Sequence, residues 1–313
     1  MSCKEITNNI KSYIHSLGFD ACGICKAKPV DEINSQALES WIANGYHADM
    51  DYMARNGDKR LDPSLLVPEA KSIIVLALNY YPKKFQQKDN PQFAYYAYGK
   101  DYHEVIKNKL KAVYEYCQSL DGRVAGRYFC DTAPLVERYW AAKAGLGWIG
   151  KNSLLIIPKK GTYFFLGAIV LNIELEYDTL KDKRMPDCVN CTKCIDACPT
   201  GAIVEPRIVD SGKCLSYQTI ENKGEIPVSL IPDMNNRVYG CDICQQVCPW
   251  NKFSTATEVE EFTPSPDFLS LTTAALENMD ETQYQRIFKG SAVKRTKLSG
   301  LKRNVAAVKK SKK

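Results

Sequence analysis

At 313 residues, with 45% hydrophobic and 25% charged residues, the chain has ordinary globular composition and room for one large domain or two. Its 13 cysteines come without an apolar signal segment or a twin-arginine pair, which argues against a secreted disulfide scaffold and for metal-bound thiolates in a reducing cytoplasm. No run of about 18 apolar residues offers a membrane span. The net charge of +6 is uneven: nine Lys or Arg and no acid fall between Lys294 and Lys313, so the rest of the chain is net acidic.

In chain order, apolar residues at Ile6, Ile10, Tyr13, Ile14 and Leu17 predict a helix over 4–17, and Phe19 to Cys25 reads as a strand. Cys22 and Cys25 form a C-x-x-C pair whose alternation with small residues fits packing in that strand better than redox work. A second helix is predicted from Asp31 to Asn44, then a polar loop, Met50 to Pro63. Ser72 to Tyr80 is continuously apolar and reads as a buried strand. Phe93 to Tyr98 is aromatic, and fits stacking on a planar ligand or packing on a sheet equally well.

A helix is predicted from His103, a surface residue in this reading, to Leu120, then a strand from Val124 to Cys130. Pro134 suits the first turn of a helix that carries Glu137 and Arg138. On sequence alone Asp131 would cap that helix. Gly145, Gly147 and Gly150 permit close backbone approach to something bulky, but they follow a helix and so do not form a dinucleotide fingerprint. Residues 154–157 and 163–173 are expected to pair as a hairpin.

The densest chemistry runs from Cys188 to Pro249. Cys188, Cys191, Cys194 and Cys198-Pro199 have the C-x2-C-x2-C-x3-C-P spacing of two-cluster bacterial ferredoxins, whose fourth cysteine serves the other cluster. Cys241, Cys244 and Cys248-Pro249 repeat it with Val238 in the first position, and Cys214 is free to fill the vacancy. This assigns Cys188, Cys191, Cys194 and Cys248 to one 4Fe-4S cluster and Cys198, Cys214, Cys241 and Cys244 to another. The competing reading is zinc held by the two C-x2-C pairs.

Several stretches together resemble the epoxyqueuosine reductase family across nearly the whole chain. They are Asp131-Thr132-Ala133-Pro134-Leu135-Val136-Glu137-Arg138, Ala144-Gly145-Leu146-Gly147-Trp148-Ile149-Gly150-Lys151-Asn152, both cysteine runs, Cys214-Leu215-Ser216-Tyr217 and Tyr239-Gly240-Cys241-Asp242-Ile243-Cys244. Gly99-Lys100-Asp101-Tyr102-His103 and Gly290-Ser291-Ala292-Val293-Lys294-Arg295 also fit.

The resemblance implies an α+β fold: a nitroreductase-like α/β cobalamin-binding domain over 1–175, a ferredoxin-like double-cluster domain over 176–255, and short helices with a basic tail over 256–313. It implies reduction of epoxyqueuosine to queuosine at the tRNA wobble position, the last step in making that base, with electrons passing through the clusters to cobalamin. Asp131 would be the proton donor, its pKa raised by burial under an apolar corrin. Arg60, Ala94, Asp131, Lys151, Asn152, Ser153, Ser216 and Tyr217 would meet the cobalamin. Longer members append a helical-repeat domain, so tRNA contact here falls to Lys294, Arg295, Lys297, Lys302 and Arg303, with Lys309 to Lys313 disordered. Other expectations are a cytoplasmic monomer and an external electron donor of flavodoxin or ferredoxin type. The rivals are a reductive dehalogenase-like corrinoid reductase and a ferredoxin-like carrier with no RNA substrate.

Overall fold

In a computed structural model of the protein, residues 1–178 and 188–312 are described. The centre is a four-stranded antiparallel sheet of β1 (Ala21–Lys26), β2 (Ser72–Asn79), β3 (Gly126–Phe129) and β4 (Phe164–Leu171), in the order β1-β2-β4-β3. Every residue of β2 is buried, which is why its sequence is apolar on both faces rather than alternating. Ile74, Leu76 and Leu78 face the helices Cys3–Ser16 and Tyr102–Leu120 through Ile10, Ile14, Ile106, Leu110 and Val113. Ile73, Val75 and Ala77 face the other way, onto Trp140, Ala141 and Leu146 around the helix Glu137–Lys143. The sheet is therefore a layer between two apolar cores.

A third core joins distant parts of the chain. Phe93, Ala97 and Tyr98 pack with Leu215, Val238 and Tyr239, and with Phe268, Tyr284, Phe288, Leu301 and Val305. Gln92–Phe93 pairs in parallel with Arg237–Tyr239, so the aromatic stretch is packing material. Gly240 follows at φ +68, and a Cβ there would lie 2.6 Å from that of Ala94. Ala94, an expected cobalamin contact, is buried against Gly240.

Two expectations are corrected. Leu155–Ile156 does not pair with Phe164–Leu171; it pairs with Trp148–Ile149, while β4 runs down the middle of the sheet. Strand partners are set by long-range packing, which adjacency in sequence does not reveal. The close approach permitted by Gly147 is to the chain itself, since a Cβ there would meet the Ile156 carbonyl oxygen at 1.9 Å.

The basic terminal stretch is also no loose tail. Lys297–Ser311 is a helix that buries Leu301, Asn304, Val305, Ala307 and Val308, so the expected disorder from Lys309 is not found through Lys312. Arg303, expected at an RNA phosphate, points inward and donates to the carbonyls of Gln218, Asn222 and Gly224. No described helix is long and apolar enough to cross a membrane.

Candidate redox centre and proton-donor site

The two cysteine runs fold alike. Each wraps a four-residue helix, Lys193–Asp196 in one and Ile243–Gln246 in the other, and the two helices pack together. Cys188, Cys191, Cys194 and Cys248 line one cavity of about 210 Å³, so the last cysteine of the second run reaches back to the first. The charges of Cys241, Cys214 and Cys198 act on Cys244, which places these four together. Burial raises the thiol pKa of Cys214 and pushes that of Cys241 up to about 12. Opposing that rise at Cys214, the backbone N–H groups of Ser216 and Tyr217 point at its sulfur; separately, Ala202 N–H donates to Cys198 Sγ at 3.3 Å. N–H donors aimed at buried sulfur suit thiolates that ligate metal.

Among the described residues no three His, Cys, Asp or Glu side chains converge on a single ion point. A cubane puts each thiolate on a different iron, so it needs sulfurs spread around a cavity. The arrangement of Cys188, Cys191, Cys194 and Cys248 fits that need.

Lys151, Asn152 and Ser153, expected at a corrin, all bond to the cysteine module or the strand pair beside it. Lys151 Nζ donates to the Val189 carbonyl at 3.2 Å, and Ser153 Oγ to the Arg207 carbonyl at 2.8 Å. Asn152 lines the first cavity and its Nδ2 donates to the Cys244 carbonyl at 3.3 Å. It is therefore a physical link between the two cysteine sets.

The second cysteine set leads on to a cluster of polar and charged side chains. Cys214 opens the helix Leu215–Ile220, where Ser216 is half-buried and Tyr217 donates to Asp49 Oδ2 at 2.5 Å. The loop after Asp49 carries Tyr52, 47% exposed, on which the charges of Glu221, Arg295, Asp131 and Arg60 all act. Arg295 pairs with Glu221 through two 2.9 Å bonds. Arg60 is buried and donates from Nη2 to the Tyr52 carbonyl, while its Nε is buried without a hydrogen-bond partner. An unpaired buried guanidinium N–H is costly and suits a bound group rich in amide or phosphate oxygens.

Asp131 belongs to this cluster, just past the end of β3, in the left-handed region at φ +57. It does not cap the following helix, which starts at Glu137 with Val136 in the cap position. The αL turn directs its carboxylate, 62% exposed, toward the start of the helix Tyr102–Leu120. There the Tyr102 hydroxyl donates to Asp131 Oδ2, and His103 Nε2 lies 3.5 Å from the same oxygen. His103 is thus a site residue that its surface reading missed; the signal was its place in the Gly99–His103 motif. The other ring nitrogen, Nδ1, is 2.7 Å from Asp101 Oδ1.

Burial works against charge on His103, but the hydrogen bonds to Asp101 and Asp131 prevail and raise its pKa to about 9. In the chain alone the His103 hydrogen bond outweighs burial and, with Tyr102, holds the Asp131 carboxyl below its usual range. Glu137, which accepts the Asp131 backbone N–H at 3.0 Å, is the raised acid. Burial and the Asp131 charge lift it to about 7. At neutral pH the proton nearest Asp131 is therefore on His103, one hydrogen bond away.

Two family models match the chain. Residues 60–132 match "Epoxyqueuosine reductase QueG, DUF1730" and residues 187–251 match "4Fe-4S double cluster binding domain". An epoxyqueuosine reductase of Cellulophaga algicola is 47% identical over 306 residues, covering 97% of this chain and 99% of its own. The crystal structure of an epoxyqueuosine reductase with an epoxyqueuosine-modified tRNA-Tyr stem loop matches at TM-score 0.90 and 29% identity, over 98% of this chain and 81% of that one. The Bacillus subtilis enzyme with its catalytic aspartate loop swung out of the active site matches at TM-score 0.89 and 28% identity, over 98% and 82% of the chains. A catabolic reductive dehalogenase is similar in fold alone, at TM-score 0.53 and 17% identity over 97% of this chain and 36% of that one.

Proposed function

Since the chain belongs to the epoxyqueuosine reductase family, we propose that it removes the epoxide of epoxyqueuosine at Asp131. The observation that carries this is the Asp131–His103–Asp101 chain, which holds a transferable proton beside the polar cluster that Cys214 leads to through Tyr217 and Asp49.

The protein is an oxidoreductase with two 4Fe-4S clusters. Removing the epoxide oxygen as water consumes two electrons and two protons. Cobalamin, when bound, supplies low-potential electrons to the substrate ring. Arg60, with its unpaired Nε, and Ser216 and Tyr217, beside Cys214, are the residues placed to hold it. His103 passes its proton to Asp131, which delivers it to the oxygen released when the ring opens, and the second proton follows the same path once solvent has recharged His103. Tyr102, stacked 4.3 Å from Phe165, fixes the carboxylate's direction through its hydroxyl. Asp101 keeps His103 oriented and charged.

tRNA is the substrate, and the exposed lysines Lys294, Lys297 and Lys302 are proposed as its phosphate contacts. Arg295 is committed to Glu221 and Arg303 to the carbonyls of Gln218, Asn222 and Gly224, so neither carries this role. Reversing Lys294, Lys297 and Lys302 to glutamate leaves the apolar face of the last helix intact. The triple variant is expected to bind an epoxyqueuosine stem loop more weakly, with the slope of log K against log salt reduced by about 0.7–0.9 for each phosphate no longer neutralised. An unchanged slope would exclude these lysines. The protein is proposed to work as a cytoplasmic monomer.

A further inference from the structure

The two cysteine sets differ in what surrounds them, and the difference gives the electron path a direction. The second set adjoins the polar cluster: Cys214 leads through Ser216 and Tyr217 to Asp49, and the next residues carry Tyr52, which shares its electrostatic surroundings with Asp131. A substrate RNA at Asp131 occupies that side. The first set lies beyond Asn152, the residue that lines its cavity and binds the Cys244 carbonyl. A protein that delivers electrons must approach at this far end.

That end has an unusual surface. Val189, between Cys188 and Cys191, is 72% exposed, and Phe253 is 38% exposed. Trp250 joins Phe253 to Trp148 in an aromatic row, with ring centroids 5.9 and 4.9 Å apart. Around these apolar groups stand Lys151 and Lys193, which line the cysteine cavity, and Lys252, which lies 4.8 Å over the Phe253 ring. Among the described residues none of the three lysines is in an ion pair. The acid on the same short helix, Asp196, is held by the Thr192 hydroxyl at 2.6 Å. A small apolar centre with a cationic rim is the pattern of a transient, electrostatically steered contact.

We propose that this face, with Val189, Trp250 and Phe253 at its centre and Lys151, Lys193 and Lys252 around it, docks an acidic, low-potential electron-carrier protein. The proposal rests on the cluster assignment above. Each docking passes one electron from the reduced carrier to the cluster held by Cys188, Cys191, Cys194 and Cys248. Two dockings supply the electrons of one turnover, and the carrier leaves oxidised by one electron each time.

The test uses the cluster-loaded protein and flavodoxin, an acidic flavoprotein, as probe. Two quantities are read against ionic strength: the dissociation constant for oxidised flavodoxin, and the rate at which photoreduced flavodoxin bleaches cluster absorbance in stopped flow. Wild-type binding and reduction are expected to weaken steeply with salt. Lys193→Glu with Lys252→Glu is expected to lower the low-salt rate at least about tenfold and flatten its salt dependence. Lys252→Glu alone, farther from the ligands, is expected to move both quantities in the same direction. Dithionite, which needs no docking face, is expected to reduce variant and wild type alike. Unchanged flavodoxin affinity and rate in both variants would overturn the proposal. So would loss of stem-loop binding with the flavodoxin rate intact, which would make the face an RNA surface, or loss of a dimer, which would make it a self-interface. If dithionite bleaches nothing in the wild type, the cluster assignment itself fails, which is a different result from a failed docking face.

Discussion

Asp131→Asn is expected to keep its iron and its affinity for cobalamin and stem loop, yet lose about 10²- to 10⁴-fold in turnover, the usual contribution of a positioned acid. The amide preserves size and still accepts from the Tyr102 hydroxyl and His103, but it cannot carry a proton to the opening ring. A wild-type rate would remove Asp131 from the chemistry. The same proton chain sets a pH limit. Because the folded pKa of His103 is raised to about 9, the imidazolium is present at neutral pH, and turnover is expected to fall as pH rises through about 9. The sign for stability is the same: the contribution is complete below the unfolded His pKa and is lost as pH climbs through the folded value.

The second large effect concerns the crossed cysteine sets. Wild-type protein is expected to hold roughly eight iron atoms per chain, four in each cluster. Cys248→Ala and Cys191→Ala are expected to abolish the same cluster signal in electron paramagnetic resonance and to leave about half the iron. Cys214→Ala and Cys244→Ala should abolish the other. Cys248 is four residues from Cys244 in sequence, so a shared signal between those two, or zinc in place of iron, would contradict the arrangement. The basis for the crossing is the single cavity lined by Cys188, Cys191, Cys194 and Cys248.

The cysteine grouping was legible in the sequence because spacing within a short loop dictates where its thiolates point. The central strand Ser72–Asn79 was legible because burial on both faces leaves an unbroken apolar run. Asp131 was found through its motif, but its surroundings were not. Its partners Tyr102 and His103 are distant in sequence, and an αL turn that no local pattern announces brings them together. The lowering of its pKa in the chain alone follows from that contact. The bonds of Lys151, Asn152 and Ser153 to the cysteine module were not legible, because the glycine-rich turn before them packs on the Leu155–Ile156 strand and then meets that module. The terminal helix was misread as a tail because its charges were counted without its period: Leu301, Val305 and Val308 fall on one face and complete the third core.

The chain is expected to convert one nucleoside, epoxyqueuosine, into queuosine. The direct measurement is mass analysis of nucleosides from epoxyqueuosine-bearing tRNA after incubation with the protein loaded with iron–sulfur clusters and cobalamin, and with reductant. The expected result is loss of epoxyqueuosine with matching gain of queuosine, lighter by one oxygen atom, in the wild type and not in Asp131→Asn. Epoxyqueuosine left intact by fully loaded wild-type protein would contradict it.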